Sequence, residues 1–411
     1  GNSTVGGTST GAITLGAATL ADNVTLTVGG GAYAANITLS TVTGTANGLS
    51  SDFTINTTGT VSVGAVGTDI GTVTVTRSGG TAFNSTVSAA TITLSDSTAA
   101  SSITFSGNVT ATSGLSAAGT ANAYNVIFNG ASNTIASTTT LSNTGTVTLV
   151  SGSGSSTFSG GVTATAPSQV NIGGTINSSN ATISIGDSNT PTVLTANTTI
   201  SGNTIGNITL GGTVNGAYTL DINTQGTTTL SGIIGGTTSL TSLTTNANGS
   251  VVISGGSVTT TGAQTYGDEE FLLGANTTLT TTSNGNISIA GYITNSSAQN
   301  LTLSAAGSGT IGVTGTVGSS TALGTLTISQ SAGTTFSSTV NAATVTLTAT
   351  TGTITFTGAL TAGTLNTAVA GYNVAINGGG TITNAATFSN TGTLALIGTN
   401  TFTGGVTAIS P

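Results

Sequence analysis

Short runs in which apolar residues alternate with threonine or serine recur along the whole chain. Thr72–Thr76 reads TVTVT, and Ile287–Ile289 reads ISI. This period of two is typical of a β-strand with one buried face, so the pattern predicts an all-β fold. The predicted strands include Ile13–Leu15, Val24–Val28, Thr60–Val63, Thr72–Thr76, Thr91–Leu94, Thr146–Val150, Ile208–Leu210, Leu220–Ile222, Ile287–Ile289, Leu301–Leu303, Thr344–Leu347 and Ile354–Phe356.

Clusters of glycine, asparagine and serine separate the predicted strands. Because Asn and Gly tolerate positive φ, we expect tight turns in these clusters. Pro167 and Pro191 are expected at bends or loop positions between coils. Six Asn-Gly pairs begin at Asn47, Asn129, Asn215, Asn248, Asn284 and Asn377.

The outward strand positions favour a parallel β-solenoid over an antiparallel sandwich. The strands are very short and lack a clear hairpin rhythm, and their outward positions hold Thr, Ser and Asn with almost no Lys or Glu. In a solenoid, like residues form ladders at a spacing of about 4.8 Å, where like charges repel and hydroxyl or amide groups do not. At about 20 residues per coil the chain would form about 20 coils and a rod of about 100 Å.

A long internal duplication accompanies the strand pattern. Gly71–Leu94 and Gly324–Leu347 are identical at 15 of 24 positions without a gap, at an offset of 253 residues. The likeness continues downstream, where the offset falls to 244, so the duplicated segments are 71–167 and 324–411. We interpret this as a repeat unit of roughly 250 residues whose small deletions lie between strands.

We expect 1–411 to be one continuous β-solenoid that is an excerpt of a longer chain. The second copy stops at Pro411, which aligns with Pro167, whereas the first copy continues with SQVNIGG. The first residues contain neither an initiator Met nor a signal peptide.

Composition excludes several classes of function. Arg77 is the single cation, so the basic surface that nucleic acid requires is missing, and the net charge of −8 is thinly spread. The chain has no Cys, which removes disulfides and thiolate chemistry. No apolar run approaches the length of a membrane-spanning helix, so we expect no membrane insertion.

Two segments of the second half resemble a known class of repeat. They are GGTTSLTSL at Gly235–Leu243 and TTTGAQTYGD at Thr259–Asp268, both within Gly226–Asp268, which is followed by the further similar stretch Leu273–Gly291. These stretches are similar to the β-strand repeats of giant bacterial surface proteins, the filamentous-haemagglutinin-like and autotransporter-like adhesins. The resemblance implies a right-handed parallel β-helix at the cell surface or beyond it, acting as an adhesin or a fibre.

The acidic residues offer few candidates for chemistry. Only Asp268, Glu269 and Glu270 cluster. A polysaccharide-cleaving enzyme would need a carboxylate pair and usually a cationic partner, and Arg77 has Gln330 as its repeat counterpart, so we expect no enzyme and no cofactor. We expect Asp268–Glu270 to form a solvated loop, with a Ca²⁺ site as the alternative function of these three residues.

The remaining expectations concern partners. The predicted function is a structural, non-enzymatic extracellular fibre or stalk segment that self-associates or continues into further repeats as a filament. The alternative is an adhesin whose Thr/Asn-rich faces, such as Thr72–Thr74 and Thr91–Thr93, bind a glycan, a cell, or an ice or mineral surface. The tyrosines are expected to be packing residues. Asn-x-Ser/Thr sequons are abundant and include Asn23, Asn36, Asn56, Asn84, Asn108, Asn197, Asn207 and Asn276.

Overall fold

The computed structural model describes residues 1–6, 11–46 and 48–409, apart from the side chain of residue 349. Within these residues the protein is all-β, with 45 strands and no helix. The predictions that concern Asn47 and Pro411 lie outside the described residues. The strands belong to two compact units, unit 1 (Gly1–Gly212) and unit 2 (Thr213–Pro411).

Unit 1 contains the first 21 strands. Their bounds are β1 (Ser3–Val5), β2 (Ile13–Leu20), β3 (Thr25–Gly29), β4 (Ile37–Gly44), β5 (Ser51–Asn56), β6 (Val61–Gly67), β7 (Ile70–Arg77), β8 (Thr81–Phe83), β9 (Val87–Leu94), β10 (Ser102–Phe105), β11 (Val109–Ala117), β12 (Asn125–Phe128), β13 (Ser132–Ile135), β14 (Thr139–Leu141), β15 (Thr146–Thr148), β16 (Ser155–Phe158), β17 (Val162–Ala164), β18 (Gln169–Asn177), β19 (Ile183–Ile185), β20 (Thr192–Asn203) and β21 (Ile208–Leu210).

The strands of unit 1 pair in parallel with strands one coil later. Leu26 of β3 lies opposite Phe53 of β5. Phe53 lies opposite Val73 of β7, and Val73 lies opposite Ile92 of β9. Parallel strands that recur at such short intervals along the chain define a β-solenoid, as the sequence predicts.

Unit 2 contains the remaining strands. Their bounds are β22 (Val214–Asn215), β23 (Thr219–Thr224), β24 (Thr227–Leu230), β25 (Ser242–Thr245), β26 (Ser250–Ile253), β27 (Ser257–Thr260), β28 (Gln264–Tyr266), β29 (Glu270–Leu273), β30 (Thr277–Thr281), β31 (Ile287–Ile289), β32 (Tyr292–Asn295), β33 (Leu301–Ala305), β34 (Ile311–Val313), β35 (Leu323–Ser331), β36 (Thr334–Phe336), β37 (Val340–Thr350), β38 (Thr353–Phe356), β39 (Leu360–Thr367), β40 (Asn373–Ile376), β41 (Gly380–Ile382), β42 (Ala386–Phe388), β43 (Leu394–Leu396), β44 (Asn400–Phe402) and β45 (Val406–Ala408).

Unit 2 has the same parallel coil-on-coil pairing. Leu243 of β25 lies opposite Gln264 of β28, and Gln264 lies opposite Ile287 of β31. Ile287 in turn lies opposite Ile311 of β34. The coils of the two units add up to about 18 turns.

The core of each unit is built from the apolar residues of the alternating pattern. In unit 1 the buried rings of Phe83, Phe105 and Phe128 stack on one another, with centroids 5.0 and 5.2 Å apart. In unit 2 the buried rings of Phe336 and Phe356 stack at 5.1 Å. Successive coils therefore place like side chains above one another, and the apolar ladder is the packing unit of the fold.

Small residues fill one column of the strands β2, β4 and β6. Gly16, Ser40 and Gly64 lie opposite one another in this column. The register on either side shows this: the residues before them are ladder partners, and so are the residues after them, namely Leu15, Leu39 and Val63, and Ala17, Thr41 and Ala65. A Cβ added to Gly64 would collide with the carbonyl oxygen of Ser40, whereas a Cβ added to Gly16 would meet no atom within 4 Å. The backbones of adjacent coils thus approach closely at Gly64.

The structure confirms most of the local predictions. Every predicted strand overlaps an observed one, and Pro167 and Pro191 lie in the connections before β18 and β20. The predicted repeat unit of roughly 250 residues is not supported as a structural repeat, because the repeat that strand pairing defines is the single coil. The duplicated sequences still fold alike, since β7–β9 have counterparts of similar bounds in β35–β37.

Candidate functional site

The acidic cluster lies at the turn between β28 and β29 of unit 2, and its three side chains have different environments. Asp268 is buried, with 2% of its surface exposed. Glu269 is exposed, and Glu270 is half-buried at the start of β29. The prediction of a solvated loop is therefore correct for Glu269 and wrong for Asp268.

The Asp268 carboxylate is satisfied on one side only. Thr245 Oγ1 donates a hydrogen bond to Oδ2, while Oδ1 has no hydrogen-bond partner among the described residues. Removal from water disfavours the charged form, and this burial raises the pKa of Asp268 to about 6 despite the opposing hydrogen bond from Thr245. Burial, and then the nearby charge of Asp268, also raises the pKa of Tyr266.

The three acidic side chains of this turn do not converge on one point. Ca²⁺ takes six to eight oxygen ligands. Glu270 already accepts a hydrogen bond of 2.9 Å from Thr294 Oγ1, and Glu269 lies at the surface. Across the described part of the chain, no group of three His, Cys, Asp or Glu side chains is placed to hold a metal ion. The structure thus gives no support to the predicted cation site at Asp268, Glu269 and Glu270.

The raised pKa of Asp268 predicts a pH-dependent stability. The unfolded side chain titrates at about 3.8 and the folded one at about 6, so the folded state binds the proton more tightly. The free energy that protonated Asp268 contributes to folding is present in full below about pH 4, and it is lost as pH rises through 6. We expect Asp268→Asn to reduce this loss, by no more than about 3 kcal/mol, in urea titrations from pH 4 to 8.

Glu269→Gln is the matched control for that measurement. It removes one carboxylate from the same turn, but from the solvent-exposed side chain. The control should keep the wild-type fall in unfolding free energy between pH 4 and 6. A wild-type slope in the Asp268→Asn variant would show that Asp268 does not cause the pH dependence.

The outer surface of unit 1 includes an unbroken ladder of hydroxyl groups. Each member is exposed or half-exposed, and each is the register partner of the next. The ten rungs are Thr4, Thr27, Thr54, Thr74, Thr93, Ser116, Thr140, Thr163, Ser184 and Thr209. Hydroxyl groups therefore recur along unit 1 at a spacing of about 4.8 Å.

Unit 2 has a comparable ladder of seven hydroxyls and one amide. Its eight rungs are Ser257, Thr278, Thr302, Thr327, Thr346, Asn366, Thr387 and Thr407. The two threonines of the Thr-x-Thr motif, in contrast, do not form two parallel hydroxyl ladders in unit 1. Thr72 pairs with Thr91, but Thr91 pairs with Gly114 in the next coil, so the second hydroxyl ladder is interrupted there.

Asparagine side chains connect neighbouring coils, a role that the sequence reasoning missed. Asn276 Oδ1 accepts a hydrogen bond of 2.9 Å from the backbone N–H of Asn300. Asn300 Oδ1 in turn accepts one of 2.7 Å from the N–H of Thr325. Recurrence of Asn at intervals of about one coil is the sequence signal that could have revealed these connections.

The duplicated segments share one such network around a buried tyrosine. Asn143 Nδ2 donates to the carbonyl of Tyr124 over 2.9 Å, and Asn390 Nδ2 donates to the carbonyl of Tyr372 over 3.1 Å. The Tyr124 and Tyr372 hydroxyls donate to the carbonyl oxygens of Leu94 and Leu347, both over 3.1 Å. Both copies therefore use tyrosine for packing, as predicted.

Not every tyrosine packs inside. Tyr33 and Tyr266 are buried, but Tyr218 is 39% and Tyr292 43% exposed. The sequons also differ in exposure, since Asn36, Asn84, Asn108 and Asn276 are exposed or half-exposed at turns, whereas Asn56 is half-buried in β5.

A shallow groove lies beside Tyr292 in unit 2. It has a volume of about 460 Å³ and is lined by Glu269, Tyr292, Thr316 and Ser338, together with Ala290, Gly291 and Gly315. We call it the Tyr292 groove. Glu270 and Tyr292 are register partners on adjacent coils, and Ser250 precedes Glu270 on the same ladder. An acid and an aromatic ring thus replace hydroxyls at two successive rungs.

The described residues form no helix of the length and apolar character needed to span a membrane. Comparisons with protein-family models, with curated proteins and with solved structures find no match. The fold places the chain in the class of parallel β-solenoids. A function must therefore be argued from the ladders, the acidic turn and the groove themselves.

Proposed function

We propose that this chain is a structural, non-enzymatic segment of an extracellular fibre or stalk. The proposal places it in a giant bacterial surface protein of the β-strand-repeat type, with right-handed coils. In a filament, the coils continue into further repeats or meet further copies of the chain.

The coil-on-coil pairing within each unit is the observation that carries this proposal. Within a unit, a strand pairs with one strand in the coil before it and one in the coil after it, as β5 does when Phe53 lies opposite Leu26 and Val73. Main-chain hydrogen bonds therefore run along the solenoid axis, and each coil is stabilised by its neighbours. Such an arrangement suits a load-bearing element that is extended by adding coils.

The surface chemistry supports the same role. A parallel stack repeats each outward residue at about 4.8 Å, so an ionised rung would face an ionised rung. The ladder from Thr4 to Thr209 avoids this repulsion with neutral hydroxyls. Asparagine bonds between coils, such as Asn276 to Asn300, add connections that do not depend on salt.

The placement of the acids supports the non-enzymatic part of the proposal. Hydrolysis of a glycosidic bond uses two carboxylates on either side of the scissile bond. Asp268 is closed off from solvent, and only Glu269 of its neighbours is exposed. Purified chain should therefore release no reducing ends from polysaccharides. Turnover that is lost in a Glu269→Gln/Glu270→Gln variant would overturn this part.

Electron microscopy of the recombinant chain tests the proposed fibre role. We expect unbranched rods of uniform width. Globular particles without rods would contradict the proposal.

The alternative function is an adhesin, and the hydroxyl ladder of unit 1 favours it specifically. A regular hydroxyl array can accept and donate hydrogen bonds to a repetitive surface such as a glycan, ice or a mineral. Glycan-array and surface-adsorption assays separate the two functions. In the variant Thr54→Val/Thr74→Val/Thr93→Val, three successive hydroxyls are lost with little change in shape. Binding that the variant loses would favour the adhesin, while the fibre proposal predicts no specific binding in either protein.

A further inference from the structure

The Tyr292 groove differs in chemistry from the polar ladders around it. The Tyr292 ring is 43% exposed and lies next to Glu270, its register partner on the preceding coil. The backbone N–H of Tyr292 donates to the carbonyl of Glu269 over 3.0 Å, which fixes the two residues side by side. Glu269 and Tyr292 therefore line the same groove, with Glu270 on the adjoining rung as the register partner of Tyr292.

The floor of the groove keeps the ring accessible. A Cβ at Gly291 would collide with the carbonyl oxygens of Asp268 and Glu269, and a Cβ at Gly315 would collide with the carbonyl of Gly291. Glycine at these two positions therefore leaves the space beside Tyr292 free of side chains. The Glu269 carboxylate has no hydrogen-bond or ion-pair partner among the described residues, so it is available to a ligand.

This combination suits a guanidinium group. Guanidinium stacks on the face of an aromatic ring and binds carboxylates through parallel N–H groups. The whole sequence contains one such group, at Arg77. Arg77 ends β7 of unit 1, is exposed, and has no ion-pair partner among the described residues.

We propose that the Tyr292 groove binds Arg77 of a second copy of this chain. Charge complementarity argues for this occupant, because Arg77, the one cationic side chain of the sequence, and Glu269 of the groove are both exposed. The contact deepens the proposed fibre function, on which it rests, by giving filaments a means of lateral association. A contact built on one cation is weak and salt-dependent, and it strengthens when many copies are presented together.

The chain supplies its own variant for a test, since the duplicated segment has Gln330 in place of Arg77. Sedimentation velocity of the whole chain at low salt should show concentration-dependent association that high salt reverses. Arg77→Gln should weaken this association at least about fivefold, and so should the groove variant Glu269→Gln/Tyr292→Thr. Asp221→Asn, which removes a half-buried acid of unit 2 outside the groove, should associate like the wild type.

Mixing the two defective variants gives the decisive result. Arg77→Gln keeps an intact groove, and the groove variant keeps an intact Arg77, so the mixture should form mixed pairs that neither variant forms alone. Failure of the mixture to associate, or full association of Arg77→Gln alone, would overturn the proposal. A wild-type chain that binds an arginine-containing peptide but not a second copy would overturn it as well. Rods of normal appearance in Arg77→Gln would leave the fibre function standing, so the two proposals fail separately.

Discussion

Phe105→Ala will lower the free energy of unfolding by about 3–5 kcal/mol. Phe105 is fully buried, and its ring stacks on Phe83 and Phe128 in the coils on either side. Truncation removes the central ring of three, so both neighbours lose a stacking partner and a cavity remains that the stacked backbone cannot close. Urea unfolding of the whole chain measures the loss, and hydrogen exchange at β8, β10 and β12 locates it.

Phe105→Leu is the control for this substitution. Leucine keeps most of the buried volume but not the flat stacking surface, so the expected loss is roughly half as large. Protection should fall first in the three strands that carry the rings. A Phe105→Ala protein as stable as the wild type, to within about 0.5 kcal/mol, would show that the aromatic stack does not stabilise unit 1.

Gly64→Ala will destabilise unit 1 by about 3 kcal/mol or more. The added Cβ would overlap the carbonyl oxygen of Ser40, which is backbone and cannot rotate away. The overlap can be removed only if β4 and β6 move apart, and this separation breaks ladder pairs such as Leu39 with Val63. Thermal unfolding followed by circular dichroism measures the effect.

Gly16→Ala is a control in the same column of small residues. Gly16 lies one coil before Ser40, and its added Cβ would meet no atom within 4 Å. Here alanine should be neutral or stabilise by up to about 1 kcal/mol, because glycine is unfavourable in a strand. Equal losses in the two variants would mean that strand propensity, rather than close backbone approach, sets the requirement for glycine.

The strands were predictable because burial imposes a period of two on the sequence. In Thr72–Thr76 the valines lie inside and the threonines outside, and the observed strand β7 covers the whole run. The choice of solenoid over sandwich was also predictable, since neutral outward residues avoid repulsion between stacked rungs. Both inferences use only local pattern and a general property of parallel stacks.

The order of coils was less predictable because the sequence interval between partners varies. The interval from Leu26 to its partner Phe53 is longer than the interval from Val73 to its partner Ile92. The interval varies because the turns between strands differ in length. The local sequence of a strand does not indicate which later strand pairs with it. The long duplication is visible in sequence but is not the interval at which strands pair.

The environments of the candidate site residues depend on the strand register between coils, which the sequence does not reveal. Asp268 and Glu269 are adjacent in sequence, but one is buried against Thr245 and the other faces solvent. Glu270 and Tyr292 are distant in sequence and become neighbours only through coil pairing. Adjacency in sequence therefore identified these acidic residues, but it could not predict their burial or their neighbours.

Immunogold electron microscopy of the native material tests the fibre role most directly. Antibodies raised against this chain should label filaments outside the cell at regular intervals, because a repeated stalk presents the same surface many times. Label confined to globular particles or to the cell interior would contradict the account.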